Sequence, residues 1–496
     1  MLKRNLFLTI LLTLLFIFPQ SAAAQASANN IAEESAYLDS IMRFIHKEYQ
    51  PGVTDDLLID GSLNGMFNSL DIYTTLYSPS EAEAFLSELD GNYYGVGLII
   101  SKIGSFITVN KVLPDSPAAK AGILAGDRIL SVDGTNIFDF DLAQAAELLR
   151  GKEGTTATLI SFRPQHDIMT IKTERAQINT SPFEYEMKNG IAYIRMSSFT
   201  VNAGEYFEEI LVDVDKHDIT KIILDLRDNP GGELSAAVSI AQKLVPKGLV
   251  TSLDFKSPEK EDTRFYSTLE KTKYQLAVLV NGSSASASEI LAGAIQDTKA
   301  GALIGTQTYG KSKVQSLLPI LTPEAFEKYK NMLQVEIVNA FDLINEYNIE
   351  PADEEIIGWL KITTGEYFTP NGRSIDRVGL APDFAVQNYQ SVNGIDIRSI
   401  DKFMQTVKSG LYDESPDVES AEAILMLLGY DIDRPDLILD EKTFEAIKSF
   451  QAEHSLYPYG VLDYITQQTL SRELDRSILE IDTQYVKALE ILSISE

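Results

Sequence analysis

The chain of 496 residues contains no cysteine and few histidines. Without cysteine, a thiol nucleophile, a disulfide framework and thiolate metal ligands are all excluded. The histidines are His46, His166, His217 and His454, and none is close in sequence to Ser286 or Lys311, the candidate residues described below. A Ser-His-Asp catalytic site therefore has few candidates here, and a histidine-rich metal site has fewer.

Positive charge is also scarce, with 42 lysine and arginine residues against 72 aspartate and glutamate residues, a formal net charge of -30. Such acidity argues against nucleic acid and against an anionic lipid surface as partners. Its ordinary consequence is solubility. A hydrophobic content of 44% over this length predicts a globular protein of about three domains.

The only long apolar run stands at the N-terminus, where Leu6 to Phe18 follow Lys3 and Arg4. A positive start, a run shorter than the roughly 20 residues of a membrane span, and small residues at cleavage spacing are typical of an export signal. Residues 1–26 are therefore predicted to be a signal peptide, with a retained membrane anchor as the alternative. In either case we expect an extracytoplasmic protein, secreted or anchored at the cell envelope.

Hydrophobic periodicity divides the remaining chain into segments of different type. Strand, turn and helix alternate in the central part, which predicts a mostly parallel sheet with its chemistry at the strand ends. The predicted fold class is multidomain α/β. Its segments are a helical region over 27–90, a β-rich module over 91–176, an α/β core over 177–400 with an acidic helical insertion at 322–356, short helices over 413–475 and an apolar helical stripe over 476–496.

A serine-rich turn follows the strand-like run that ends at Val280. Backbone N–H groups at the start of a helix are free to hold an oxyanion, so a serine there is a candidate nucleophile. A structural role is the alternative, because Ser286-Ala-Ser-Glu289 also fits an N-terminal capping box. The local pattern leaves four candidate serines open, namely Ser283, Ser284, Ser286 and Ser288.

Two further turns carry candidate residues. Asp228-Asn-Pro-Gly231-Gly232 follows a buried strand, where glycine lets the backbone expose its N–H groups, although an ordinary strand-to-helix turn is the alternative. A desolvated lysine amine such as that of Lys311 can act as a general base, whereas most lysines after such turns are solvated. The match of Gly305 to Ser312 with a phosphate-binding loop is formal, because an apolar β-like run follows instead of a helix.

Taken in order, these motifs resemble the C-terminal processing peptidases, or tail-specific proteases, which embed a PDZ domain in a serine protease core with a Ser-Lys dyad. The resemblance covers nearly all of residues 31–385. It includes the segments Ser69 to Tyr73, Tyr94 to Leu98, Gly126 to Ile129, Asp228 to Gly232, Ser284 to Ile290, Gly310-Lys311 and Tyr367 to Ile375.

The resemblance implies roles for individual residues. Ser286 would be the nucleophile, Lys311 its general base and Gln315 the residue that orients the amine. The oxyanion hole would come from the backbone N–H groups of Ala287 and the Gly231-Gly232 turn. The PDZ loop of Gly95, Val96, Gly97 and Leu98 would hold the terminal carboxylate of a peptide with an apolar C-terminus, and Arg150 resembles a regulatory PDZ arginine. No metal or organic cofactor is implied.

The C-terminal part carries two further resemblances. Residues 418–470 resemble a small peptidoglycan-binding module, with a helical protein–protein module as the alternative. The stripe from Ile478 to Leu492 resembles the family's C-terminal dimerisation helix, with packing against its own core as the competing interpretation. We therefore expect a homodimeric exported serine endopeptidase, with peptidoglycan as a further partner. A catalytically silent PDZ scaffold at the cell wall and a purely structural peptidoglycan-binding protein are the alternatives.

Two features depart from the family's pattern. Ser312-Lys313 stand where Gly-Ser is common, so a second ammonium group is two residues from the predicted base. Residues 322–356 stand where the family has a short turn, and the interpretations of this insertion are a lid or a partner surface.

Overall fold

A computed structural model of the chain describes residues 36–90, 92–103, 105–163, 168–179, 181–257, 260–389, 391–403 and 408–494. The predicted signal peptide lies outside the described residues. The chain forms two compact units, one that ends at Leu76 and one that begins at Tyr77. Within the described part of the chain, no helix combines the length and apolar character needed to cross a membrane.

The first unit is helical, as predicted. Helix α1 covers residues 36–48, and helix α2 covers Asp55–Asn68. Thr54 caps α2 by accepting a hydrogen bond from the N–H of Leu57. No residue of α2 is buried. Strand β1, Thr75–Tyr77, spans the boundary between the units.

The second unit begins with helix α3 and continues into the predicted β-rich module. Its elements are α3 (Pro79–Asp90), β2 (Asn92–Gly95), β3 (Leu98–Ile103), β4 (Phe106–Val112), α4 (Pro117–Lys120), β5 (Arg128–Val132), β6 (Thr135–Asn136), α5 (Leu142–Leu149), β7 (Thr156–Phe162), β8 (Ile168–Glu174) and β9 (Ala176–Asn179). Strands β3, β4, β5, β7 and β8 pair in that order, β6 pairs with β5, and β2 pairs with β9. Alternate positions such as Ile107, Val109 and Leu159 are fully buried and give this module its own core.

The remaining elements follow in chain order. They are β10 (Phe183–Lys188), β11 (Ile191–Met196), α6 (Ala203–Lys216), β12 (Lys221–Asp225), α7 (Leu234–Leu244), β13 (Gly248–Phe255), β14 (Thr263–Ser267), β15 (Gln275–Val280), α8 (Ala287–Asp297), β16 (Gly301–Gly305), β17 (Lys313–Leu321), α9 (Pro323–Leu333), α10 (Ala340–Asn345), β18 (Ile356–Phe368), β19 (Phe384–Ala385), α11 (Pro416–Leu427), α12 (Glu441–Glu453), α13 (Tyr464–Ile481) and α14 (Thr483–Ile494).

The core sheet has the strand order β10-β11-β12-β15-β16-β19. Only β10 runs antiparallel to its neighbour, so the predicted mostly parallel sheet is confirmed. Side chains alternate between the two faces, because successive residues of a strand point in opposite directions. Ile222, Leu224 and Val278 pack in the main core that helices α6, α7 and α8 share. Ile223 and Leu279 pack on the opposite face with residues of α14.

A second sheet, which sequence periodicity did not predict over residues 246–273, contains the antiparallel hairpin β13–β14. Strand β13 also pairs with β18, and β17 pairs with β18 along nearly its whole length. The insertion at 322–356 connects the far ends of β17 and β18. It contains α9, α10 and a short 3-10 helix, so its predicted helical character is confirmed.

The C-terminal helical stripe is two helices, and the prediction of one continuous stripe over residues 476–492 is wrong. Helix α13 continues to Ile481, the chain leaves helical geometry at Asp482, and α14 starts at Thr483. The cause is a buried ion pair, in which Asp482 accepts a hydrogen bond of 2.9 Å from Arg227 while also capping α14 through the N–H of Tyr485. Helix α14 then covers the core sheet, as the competing interpretation of this stripe expects.

Candidate active site

Three turns leave the core sheet at one edge. Strands β12, β15 and β16 are parallel neighbours, so the turns that follow their carboxyl ends meet there. Side chains join the first two turns, since Asn281 donates from Nδ2 to Asp228 (2.8 Å) and accepts at Oδ1 from the Asp228 N–H (3.0 Å). The sheet thus brings together segments that are more than 50 residues apart in sequence.

Asn229, which sequence reasoning did not single out, fixes the glycine turn. It is fully buried. Its side chain donates to the Met196 carbonyl (3.0 Å) and accepts from the Gly231 N–H (2.9 Å). Its backbone carbonyl accepts from the Ala285 N–H (3.0 Å) and from the Ser288 hydroxyl (2.9 Å). The side chain of Asn229 thus fixes the glycine turn and ties it to the end of β11, and its backbone carbonyl holds this turn against the serine-rich turn.

The four candidate serines have different environments. The hydroxyls of Ser284 and Ser288 are buried and donate to the carbonyls of Leu226 (2.7 Å) and Asn229 (2.9 Å), so both are structural. Ser283 is exposed, and Ser286 is half-buried.

Ser286 alone among these serines has left-handed backbone geometry, with φ 56° and ψ -115°. A non-glycine residue in such a region costs on the order of 1–3 kcal/mol and is concentrated at functional sites. A strained serine on a sharp strand-to-helix turn is also how the nucleophile elbow of other hydrolases exposes its hydroxyl.

The carboxylate of Glu289 joins the turn of Ser286 to the turn of Lys311. Its Oε2 accepts the N–H groups of Ser286 and Lys311, each at 2.9 Å, so these two nitrogens are separated by no more than twice that distance. Its Oε1 accepts the Gly310 N–H (2.8 Å) and the Thr308 hydroxyl (2.6 Å). Burial raises the pKa of Glu289, while these four donors favour its charged form. The capping-box pattern identified this residue, but gave no sign of the contact with the lysine turn.

Tyr367 makes a second connection between the same two residues, from the carbonyl side. Its hydroxyl is 3.0 Å from the carbonyl oxygen of Ser286 and 2.5 Å from that of Lys311. The residue is buried, and its own N–H donates to the Ser312 carbonyl at 2.9 Å. The N–H groups of Ser286 and Lys311 thus share the side chain of Glu289, and their carbonyl groups share the side chain of Tyr367.

The Lys311 amine donates to Gln315 Oε1 at 3.0 Å, as the resemblance implies. The neighbouring Lys313, which departs from the family's pattern, has its own partners at 3.3 Å in Glu366 and 3.2 Å in Asp376. Burial opposes the charge of Lys313, but the two carboxylates outweigh it and raise the Lys313 pKa. This second ammonium group is thus compensated by carboxylates.

The glycine turn lies directly against the predicted nucleophile. A Cβ atom on Gly231 would be 2.8 Å from Ser286 Cβ and 2.9 Å from the Ala287 nitrogen, so only glycine fits there. The Gly231 N–H already donates to Asn229. The N–H groups of Gly232 and Ala287, by contrast, donate to no group within the part of the chain that the structure describes. These two N–H groups are the ones available to a ligand.

The predicted carboxylate loop lies at the N-terminal edge of the β-rich module. Gly97 has φ 83°, and a Cβ there would come within 2.3 Å of Ser116 Cβ. Val96 is buried, and its carbonyl accepts the Ala118 N–H at 2.8 Å. Gly95 forms a β-bridge with Arg150, which ends helix α5. The structure therefore brings Arg150 beside the loop of Gly95 to Leu98.

A cleft of about 1060 Å³ adjoins this loop, with Tyr77, Phe85, Tyr94 and Arg150 among its lining residues. The rings of Tyr77 and Phe85 stack with centroids 5.3 Å apart. Lys361 of β18 lies over both rings and donates to the Tyr77 hydroxyl at 2.7 Å. The cleft is thus lined by Tyr77 and helix α3 together with Tyr94 and the turn after α5.

The motif residues of the C-terminal module support its fold. Asp440 caps α12 and Asp463 caps α13, each by accepting a backbone N–H at 2.8 Å. Gln451 donates to the Val461 carbonyl and the Thr466 hydroxyl, each at 2.9 Å. Val418, Ile447 and Phe450 are among the buried residues of its separate core.

Glu422 makes the stability of this module depend on pH. The residue is 2% exposed, and burial raises its pKa to about 8. The folded state therefore holds the proton more tightly than the unfolded chain does, so the stabilisation is complete below the unfolded pKa of about 4.3 and is lost as pH rises towards 8. We expect the unfolding temperature of the module to fall between pH 5 and pH 8.5.

In Glu422→Gln this fall should be smaller, because the amide carries no charge at either pH. Calorimetry of the full chain at several pH values measures the effect, and Glu445→Gln, an exposed residue of the same module, is the matched control. An unchanged pH slope in Glu422→Gln would contradict the prediction.

Comparison with known proteins identifies the family. The sequence matches the model of peptidase family S41 over residues 190–386, that of a PDZ domain over 108–161 and that of a peptidoglycan binding domain over 414–470. A carboxy-terminal-processing protease of Bartonella bacilliformis is 30% identical over 380 residues, covering 75% of this chain and 79% of that protein. This chain belongs to peptidase family S41.

Two further relatives are the carboxy-terminal processing proteases CtpB and CtpA of Bacillus subtilis, each 28% identical to this chain. The alignments cover 96% and 97% of this chain, and 93% and 95% of the relatives. The chain is thus an S41 serine peptidase with a PDZ domain, and the predicted family, fold class and enzyme class are confirmed. The peptidoglycan binding domain suggests a location at the cell envelope.

Proposed function

We propose that this S41 peptidase is an exported endopeptidase that cleaves protein C-terminal tails through an acyl-enzyme on Ser286. The single observation that carries the proposal is the shared carboxylate of Glu289, whose Oε2 binds the backbone of both Ser286 and Lys311. The strained backbone of Ser286 and the contact between Lys311 and Gln315 support it further.

In the first step the neutral amine of Lys311 takes the proton of the Ser286 hydroxyl as Oγ attacks the scissile carbonyl. The N–H groups of Gly232 and Ala287 bind the resulting oxyanion, and one such donor is typically worth about 2.7–4 kcal/mol of transition-state stabilisation. The lysine then gives the proton to the leaving amine, and an ester on Ser286 remains. Water attacks this ester, again with Lys311 as the base, and releases the N-terminal product.

An ordinary lysine has a pKa of about 10.4, so desolvation must favour the neutral amine if Lys311 is to act near neutral pH. Lys311 is half-buried. Its amine donates a hydrogen bond to the amide oxygen of Gln315, which orients it.

The PDZ domain selects the substrate in this proposal. Backbone N–H groups of the loop from Gly95 to Leu98 bind the terminal carboxylate of an extended peptide with an apolar C-terminus. Arg150, which is bridged to Gly95, has a regulatory role. We assign residues 91–176 to this domain and residues 177–400 to the protease core.

The terminal segments determine where the enzyme acts. We propose that residues 1–26 direct export, that residues 413–475 bind peptidoglycan, and that the protein is a homodimer in which the terminal regions take part. In this assembly the peptidase would meet its protein substrates at the cell envelope.

The proposed chemistry is tested by trapping the acyl-enzyme. The protein is mixed with casein or with a peptide that ends in an apolar tail, quenched in acid within seconds, and digested for mass spectrometry. We expect cleavage, and an adduct with the mass of the N-terminal product on the fragment that contains Ser286.

Cleavage that persists in Ser286→Ala, with no adduct on Ser286 in the wild type, would refute the mechanism. Tail binding without any cleavage would instead indicate the silent scaffold. Loss of all function on deletion of residues 413–475, again without cleavage, would indicate a structural peptidoglycan-binding protein.

A further inference from the structure

The insertion, residues 322–356, concentrates negative charge. It carries nine acidic residues and two lysines, a net charge of -7 within a chain of net charge -30. Both lysines are already used, since Lys328 pairs with Glu355 (2.5 Å) and Lys330 with Glu327 (3.5 Å). Seven carboxylates therefore have no basic partner within the insertion.

The insertion is a folded platform. Ala325, Tyr329, Val338 and Leu343 form a separate buried cluster. The Tyr329 hydroxyl donates to Glu355 at 2.7 Å, next to the start of β18. Helices α9 and α10 both pack against strand β17. The surface of the insertion is thus fixed relative to the strand pair β17–β18.

Large apolar side chains remain exposed on this platform. Ile337 is 79% exposed and Phe341 45% exposed. Phe341 and Ile344 are three residues apart on α10 and therefore share one face of the helix, and Met332 and Tyr347 are exposed as well. Exposed apolar groups surrounded by charge are characteristic of interaction sites. We call the exposed side chains of Ile337, Phe341, Ile344 and Tyr347 the insertion patch.

Charge complementarity decides among the possible occupants of the insertion patch. A second copy of the chain would bring the same excess of carboxylates against it, and an anionic lipid surface would be repelled in the same way. Glu336, Asp342 and Glu346 directly adjoin the patch residues in sequence. The occupant that satisfies both the apolar and the acidic groups is a polypeptide segment that carries apolar and basic side chains.

Strand β17 connects the insertion patch to the predicted catalytic residues. Gln315, which contacts Lys311, lies near its start, and Leu321 at its end leads into α9. The six residue steps from Gln315 to Leu321 span about 20 Å at a strand rise of about 3.3 Å per residue. A substrate that occupies both sites therefore needs about six or more extended residues between them.

We propose that the insertion patch is a docking site for a basic, apolar segment of the substrate polypeptide, located at least six residues from the scissile bond. This inference rests on the proposed function and deepens it. The site raises the local concentration of one class of substrate without taking part in the chemistry, so it acts on KM and leaves kcat unchanged.

The test uses three fluorogenic peptides that share one cleavage sequence and one apolar C-terminal tail. The first has nothing further, the second has a lysine- and leucine-rich segment that starts eight residues from the scissile bond, and the third has a glutamate- and leucine-rich segment there. For the wild type at low salt, we expect the KM of the second peptide to be at least ten-fold below that of the other two. This advantage should shrink at 0.5 M salt, because ions screen the attraction.

Two variants separate the apolar and charged contributions. Both Ile337→Ser/Phe341→Ser and Glu336→Gln/Glu346→Gln should raise the KM of the basic peptide towards that of the short one, without changing kcat or the KM of the short peptide. Val212→Ser, an exposed apolar residue on α6, is the matched control and should change nothing. Equal KM values for the three peptides in the wild type would overturn the docking site.

Binding measured without turnover keeps this proposal distinct from the proposed function. The fluorescence anisotropy of the labelled basic peptide reports its affinity for the Ser286→Ala protein, with and without the patch substitutions. A ten-fold weaker affinity in the patch variants supports the docking site even if no peptide is cleaved, an outcome that would refute the proposed function alone. Equal affinity in both proteins overturns the docking site even if cleavage occurs.

Discussion

Lys311→Ala is expected to lower kcat/KM for a tail peptide by on the order of 10⁴- to 10⁶-fold, and Ser286→Ala by a similar factor. The serine hydroxyl is a weak nucleophile without a base, and the base has no function without the hydroxyl. Because the two groups act as a unit, the double variant should lose little more than either single variant. Steady-state kinetics with circular dichroism measures both activity and fold.

The matched control for the base is Lys313→Gln. This lysine is only two residues away, but its ammonium group pairs with Glu366 and Asp376. We expect its replacement to change kcat/KM by less than about ten-fold, since it removes a partly exposed ion pair worth about 1 kcal/mol or less. A loss in Lys313→Gln as large as that in Lys311→Ala would contradict the assignment of Lys311 as the base.

Glu289→Gln is expected to lower kcat by at least about 100-fold and to destabilise the protein by about 2–6 kcal/mol. The carboxylate accepts four hydrogen bonds, two at each oxygen. Glutamine replaces one of these oxygens with an amide nitrogen, which cannot accept a hydrogen bond. Two buried donors then lose their acceptor, at a cost of about 1–3 kcal/mol each. If Oε2 is the position affected, the N–H groups of Ser286 and Lys311 are no longer held together.

Two measurements test this role. Urea denaturation gives the change in stability, and kinetics at saturating substrate give kcat separately from KM. Glu366→Gln is the matched control, because this carboxylate on β18 contacts Ser312 and Lys313 but neither Ser286 nor Lys311. A stable Glu289→Gln protein with unchanged kcat would show that the shared carboxylate is dispensable for catalysis.

The order of elements in the core was predictable because its signals are local. Strand and helix periodicity defined β11, α7 and β15, and glycine turns marked the points where strands end. Strands β13 and β14 were missed, although they lie in the same core, because they belong to an antiparallel sheet between two predicted α/β segments. The break at Asp482 was also missed, since its cause is a contact with Arg227, 255 residues away in sequence.

Sequence alone determined the family resemblance, the α/β core and the candidates Ser286, Lys311 and Gln315, because motif order, turn glycines and hydrophobic periodicity are all encoded within short stretches of chain. Tertiary structure decided which serine has a strained backbone, how Glu289 and Tyr367 hold that serine against the lysine turn, and which carboxylates compensate Lys313. Strand ends that meet at one edge of the parallel sheet bring the serine and lysine turns together, and the antiparallel pair β17–β18 brings Tyr367 and the carboxylate of Glu366 to them. Both arrangements join residues that no local pattern connects.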